Sequence, residues 1–161
     1  LRDEFGGIME FGTIEREMYI DATPDIVFEV VSRPEHVKKW WPDDARYEAV
    51  PGAVGEIVFG DAEGGGQAVA LSVVDVQPPW RFAFRWTQPA DETAAEGNSL
   101  LVTFELTAAG DGTLLRFNET GFREMGWEAA VLEEQYNDHL NGWDYFLPRL
   151  APCVAALDVR S

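Results

Sequence analysis

From Trp127 onward the apolar residues Leu132, Tyr136, Leu140, Trp143, Leu147, Leu150, Val154 and Leu157 recur at three- and four-residue steps, after a long stretch in which they recur at every second residue. A period near 3.6 marks one face of an α-helix and a period of two marks one face of a strand. A helical stripe of that length needs an apolar surface to cover it, and the alternating segments before it supply one. The order predicts a sheet closed by a single C-terminal helix. Pro148 and Pro152 fall inside the stripe. Each lacks a backbone donor and crowds the preceding turn, so the helix either bends there or restarts as a shorter final segment.

The preceding elements are punctuated in the same way. Thr13 to Ile20 alternates, with Ile14, Met18 and Ile20 on one side and Arg16 breaking that side, which reads as a strand near a sheet edge. Thr23 as N-cap and Pro24 as first helical residue open a short helix carrying Ile26, Val27, Val30 and Val31. Ser32-Arg33-Pro34 interrupts it, and residues 35–41 form a second short helix stopped by Pro42.

Strands are then predicted over 45–50, 56–60, 69–76, 80–86, 100–107 and 115–121. In the fourth of these Trp80, Phe82, Phe84 and Trp86 share one face; in the fifth Leu100, Val102, Phe104 and Leu106 do; in the last Leu115, Phe117 and Glu119 do. Residues 61–66 read as an acidic, Gly-rich hairpin loop and 89–98 as a polar loop, and Gly110-Asp111-Gly112 marks a tight turn. Strands in series, bounded by helices, define an α+β fold with an antiparallel sheet.

Bulk properties narrow the function classes. A length of 161 residues suits one domain, expected over 13–157, with 1–12 a disordered N-terminus and 158–161 a tail. Residues 1–8 contain no apolar signal segment, and Met9 is a candidate natural start. A net charge of -17 repels phosphate backbones and anionic lipid, which disfavours nucleic acid as a partner. No run of about 18 uncharged apolar residues occurs, so no membrane span is predicted. One cysteine, Cys153, and two histidines, His36 and His139, are too few for a Cys/His zinc site, so no metal is expected. A single cysteine allows no internal disulfide and suits a cytoplasmic protein. Gly64-Gly65-Gly66 lacks the Lys and the helix of a phosphate loop, no dinucleotide fingerprint or nucleophile elbow is present, and no cofactor is expected.

The chain resembles the SRPBCC (START/Bet v-type) superfamily, and within it the homologues of the activator of the ninety-kilodalton heat-shock protein ATPase. The resemblance rests on the junction from Ile20 to Phe28, the helix Pro34 to Trp41 ending in two Trp, the hairpin from Val76 to Trp86, the segment from Gly110 to Phe122 and the closing-helix pattern Gly142-Trp143…Leu147…Leu150. It implies a helix-grip fold: a curved antiparallel sheet wrapped around a long C-terminal helix, with two short helices after the first strand. It also implies a cavity between sheet and helix that holds lipids, sterols, polyketides or hormones in other members, some of which are cyclases or hydrolases.

Candidate site residues follow from the inward faces. Trp40, Trp41, Phe59, Phe84, Trp86, Phe104, Phe117, Glu119, Tyr136 and Trp143 are the expected lining of a ligand cavity, although periodicity does not separate cavity wall from filled core. One of Trp40 and Trp41 is expected to be buried and the other to flank an entrance. Glu119 shares a face with Leu115 and Phe117, where an unpaired carboxylate would lose its hydration. It is either a polar handle or general base within the pocket, or a strand-end residue near the mouth, in water or paired with an Arg; the second placement is the expectation. His139 and Tyr136 are the other acid–base candidates, facing Glu119 across the cavity, while His139 also fits the outer face because Leu140 fits the stripe better. Cys153 reads as a buried apolar packer.

Three functions compete. A binding module for a hydrophobic small molecule ranks first, a co-chaperone-like interaction domain second, and a cyclase- or hydrolase-type enzyme third. The chain is expected as a monomer or a homodimer.

Overall fold

The computed structural model describes residues 12–60, 66–89 and 91–158. The expected disordered segment 1–12 and tail 158–161 lie almost wholly outside these residues, as does most of the loop 61–66. Among the described residues the chain runs β1 (Thr13–Ile20), α1 (Pro24–Ser32), α2 (Pro34–Trp40), β2 (Asp44–Arg46), β3 (Val54–Phe59), β4 (Gln67–Gln77), β5 (Arg81–Trp86), β6 (Leu100–Ala109), β7 (Gly112–Thr120), α3 (Ala129–Phe146) and α4 (Leu150–Asp158). Short 3-10 turns occupy Arg123–Met125 and Leu147–Arg149. The strands form one seven-stranded antiparallel sheet in the order β1-β7-β6-β5-β4-β3-β2. This is the antiparallel sheet closed by a C-terminal helix that the order of periodicities predicted, and the helix-grip architecture that the resemblance implied.

Alternation sets the inner face. Phe82, Phe84 and Trp86 on β5, Leu100, Val102, Phe104 and Leu106 on β6, and Leu115 and Phe117 on β7 are all buried. The register pairs Phe84 with Val102 and Val102 with Glu119, so one row of the sheet carries these three side chains inward together. The apolar run in β4 does not alternate throughout because the register shifts between Val73 and Asp75. One extra residue there turns Val74 outward, 46% exposed, and returns Val76 to the inner side.

The closing helix breaks where Pro148 removes a donor. α3 ends at Phe146, a 3-10 turn carries Pro148, and α4 restarts at Leu150 with Pro152 in its first turn, where the missing N–H has no helical partner. Burial rises along the stripe: Leu132, Tyr136 and Leu140 are half-buried, whereas Trp143, Leu147, Leu150 and Val154 are in the core. α4 packs on α1 and α2.

Three local expectations are corrected. Trp80 lies in the turn before β5 and is 50% exposed, because the strand and its alternation begin only at Arg81. Thr23 occupies the N-cap position of α1 without a side-chain bond to the helix, so Pro24 alone supplies the start signal. The second strand is shorter than 45–50, because β2 pairs with β3 over only Asp44 to Arg46 before the chain turns.

Arg16 has a tertiary reason for interrupting an apolar face. β1 is a sheet edge, and its inner side there meets α3 rather than the core. The Arg16 guanidinium donates through Nε to Asp144 Oδ1 at 2.8 Å and through Nη2 to Oδ2 at 3.2 Å, tying the edge strand to the helix. The paired guanidinium holds the Asp144 carboxyl below the usual carboxylate range.

Candidate functional site

The inward position on β7 that follows Leu115 and Phe117 belongs to Glu119, and its side chain is fully buried. It is neither at the mouth nor beside an arginine. Trp86 Nε1 donates to Oε2 at 2.7 Å, and Trp143 Nε1 donates to Oε1 at 2.8 Å. His139 Nδ1 lies 3.0 Å from Oε1. β5 supplies the first indole donor, α3 the second indole donor and the imidazole nitrogen, and β7 the carboxylate. His139 and Trp143 are four residues apart on α3, so they project from one helix face above the sheet. A carboxylate taken out of water is costly unless its lone pairs are filled, and here both oxygens accept from ring nitrogens.

His139 is on the inner face, its side chain 15% exposed, with its ring 5.3 Å from that of Trp86 and perpendicular to Phe122 at 5.4 Å. Tyr136 sits one turn earlier and is held differently. Its hydroxyl donates to the Thr13 carbonyl at 2.9 Å and its ring packs on Phe122. The structure therefore brings Glu119, His139 and Trp143 together and directs Tyr136 to the edge strand.

Between α3 and the β3–β5 side of the sheet lies a cleft of about 170 Å³, lined by Trp41, Phe59, Trp86, His139, Trp143 and Phe146, with Gly142 and Asp138 at its helix side. Trp41 is its back wall. Its ring centroid lies 4.9 Å from both Trp86 and Trp143 and 5.9 Å from Phe59. Of the residues expected to line a cavity, Trp41, Phe59, Trp86 and Trp143 line this cleft. Trp40, Phe84, Phe104 and Phe117 are stacked beneath it as filled core, each at most 2% exposed. Trp40 donates its indole N–H to the Val30 carbonyl at 2.9 Å, which fixes it under α1. Glu119 is the floor beneath Trp86 and Trp143 rather than a surface residue of the cleft.

Phe146 and Asp138 were not anticipated. Phe146 stands three residues after Trp143 and seven after His139, a spacing that places all three on one helical face. Cys153 is half-buried against α1 and α2, and burial pushes its thiol up from the ordinary range. Among the described residues no group of three or more His, Cys, Asp or Glu could hold a metal ion, and no helix is long and apolar enough to cross a membrane.

A curved antiparallel sheet gripping a C-terminal helix, with an aromatic cleft under that helix, defines a domain of the SRPBCC helix-grip class. Within that class the chain belongs to the family described as Activator of Hsp90 ATPase homolog 1-like protein, whose pattern it matches over residues 21–155. Solved structures share the fold. Protein MLL2253 from Mesorhizobium loti has a TM-score of 0.71 at 22% identity, over 92% of this chain and 98% of that one. The Aha1 dimer from Colwellia psychrerythraea has a TM-score of 0.67 at 20% identity, over 91% of this chain and 96% of that one. DynU16, a protein in the dynemicin biosynthetic locus, has a TM-score of 0.63 at 23% identity, over 92% of this chain and 48% of that one. A comparison with curated proteins finds no match.

Proposed function

We propose that this domain binds a small molecule and takes a ring-sized apolar ligand in the cleft under α3. The observation that carries the reading is the cleft itself: five aromatic rings around an opening of about 170 Å³. An apolar cavity of about 150 Å³ accommodates benzene, whereas drug-sized ligands occupy roughly 300–1,000 Å³. The volume therefore suits one or two fused rings. DynU16's place in a biosynthetic locus is in keeping with a small-molecule role.

The test is a thermal-shift and amide chemical-shift survey with benzene, toluene, phenol, indole and naphthalene. Stabilisation by at least one of them, with shifts centred on Trp41, Gly142 and Trp143, is expected. Absence of any stabilisation or localised shift across the set overturns the reading.

A second reading, interaction with a chaperone ATPase, is favoured by the family description alone. Stimulation of a chaperone ATPase by the purified chain, as monomer or homodimer, would establish it.

A further inference from the structure

Two indole N–H groups can only donate. Trp86 and Trp143 therefore fix Glu119 as an acceptor at both of its oxygens. A third nitrogen, His139 Nδ1, meets Oε1. In a carboxylate–imidazole pair the carboxylate selects the tautomer by accepting from one ring nitrogen, which leaves the lone pair on the other. The imidazole nitrogens point in divergent directions. With Nδ1 directed down to the buried carboxylate, Nε2 points away from it, on a residue that lines the cleft.

Among the described residues the His139 ring makes its hydrogen bond through Nδ1, and Nε2 is not one of the buried polar atoms without a partner, which are Thr87 Oγ1 and Gln88 Oε1; Nε2 is therefore within reach of solvent. His139 rests against the rings of Trp86 and Phe122, which hold the imidazole in place over Glu119.

We infer that His139 Nε2 is the specificity-determining hydrogen-bond acceptor of the cleft, and that the ligand is a neutral or cationic aromatic of one or two rings bearing an N–H or O–H donor, as phenols, indoles and aromatic amines do. The inference rests on the ligand-binding reading above and adds the polar half of recognition to it. The remaining cleft side chains are apolar rings except Asp138 at the helix side, so within the ring-lined part of the wall a ring donor meets this nitrogen, and the His139→Phe comparison below separates it from Asp138. Asp138 at the helix side and the net charge of -17 select against anionic rings such as benzoates. Glu119 is a positioning residue: it sets the imidazole tautomer and does not itself touch ligand.

The experiment compares donor-bearing rings with donor-free rings of nearly the same shape: indole with indene, and phenol with toluene. Affinities come from chemical-shift titration of the whole chain, and long-range 15N spectra of the His139 ring report its tautomer directly. The expected result is roughly tenfold tighter binding of indole than indene, the equivalent of one hydrogen bond. In His139→Phe, which keeps a ring in place, indole and indene should bind alike. The free protein should show Nδ1 protonated and Nε2 bare. Equal binding of the paired probes by the unmodified chain overturns the acceptor role while leaving the ligand-binding reading intact. A ring found with Nε2 protonated overturns it equally, and needs no variant to fold. Failure of all four probes to bind removes the ligand-binding reading, and the inference with it.

Discussion

The indole N–H of Trp86 on β5 reaches Glu119 Oε2 on β7 at 2.7 Å, with β6 lying between the two strands. Neighbouring strands stand about 4.8 Å apart, so the bond bridges two strand spacings and needs a side chain of Trp length. It ties the cleft wall to the cleft floor. With Trp143 and His139 completing the acceptor's coordination, Glu119 is a structural anchor whose removal strands buried donors.

Glu119→Leu and Glu119→Gln separate charge from satisfaction. Leucine leaves the two indole donors without an acceptor and His139 Nδ1 without a partner. Glutamine keeps one accepting oxygen and turns an amide N–H₂ toward one of the indoles. A buried donor left unpaired costs about 1–3 kcal/mol, so both variants should lose stability, Leu more than Gln. Urea denaturation gives the order. A leucine variant as stable as the parent would show that the three bonds contribute nothing net.

Asp144 predicts a pH dependence of definite sign. The Arg16 hydrogen bond lowers its folded-state pKa below the unfolded value, near 3.9 for an ordinary Asp. Stability from the pair is thus present above about pH 4 and is lost as pH falls through the folded value. Both side chains are substantially exposed, 36% for Arg16 and 51% for Asp144, so the contribution is at most about 1 kcal/mol after screening. Stability curves of the parent and Asp144→Asn should differ slightly at pH 7 and converge in acid. A gap that widens on acidification would contradict the assignment.

Tyr47 should behave as a silent phenol. Its hydroxyl donates to the Ser32 carbonyl at the end of α1, at 2.7 Å, and burial raises its ionisation well above the usual range. Because the folded pKa is raised, the stability it contributes is complete below the unfolded value of about 10 and is lost as pH climbs toward the folded one. The ultraviolet signal of ionised tyrosine near pH 10 should be the same for the folded parent and for folded Tyr47→Phe, because Tyr47 stays protonated there. Tyr47→Phe leaves a helix-end carbonyl without this donor and should cost about 1 kcal/mol.

Gly121 turns the chain off the sheet directly after β7. Its φ is +107°, and an added Cβ would stand 3.1 Å from the Ser99 carbonyl oxygen. Gly121→Ala should cost roughly 1–3 kcal/mol from backbone strain at this position. Hydrogen exchange should quicken around Thr120, close to the site. Unchanged stability would mean that the turn tolerates a side chain.

The architecture was readable because it depends on local periodicity. Alternation at Leu100, Val102, Phe104 and Leu106 and the helical stripe through Trp143, Leu147 and Leu150 are each visible in a short window, and burial of apolar area forces both faces together. Trp80 misled for the same reason: it continues the alternation of β5, but the chain is still turning there. The break at Pro148 was also legible, since a missing N–H acts within one turn of its own position.

What tertiary structure alone decided is which inward residues became wall, floor or filler. Trp40 and Trp41 are adjacent in sequence, yet one is sealed beneath α1 and the other faces the cleft, because helix placement against the sheet sets that choice. Glu119 has the same inward phase whether it is hydrated at a mouth or clamped by indoles. Its partners Trp86, His139 and Trp143 come from distant segments, and only the gripping of α3 by the curved sheet brings their nitrogens within hydrogen-bond range.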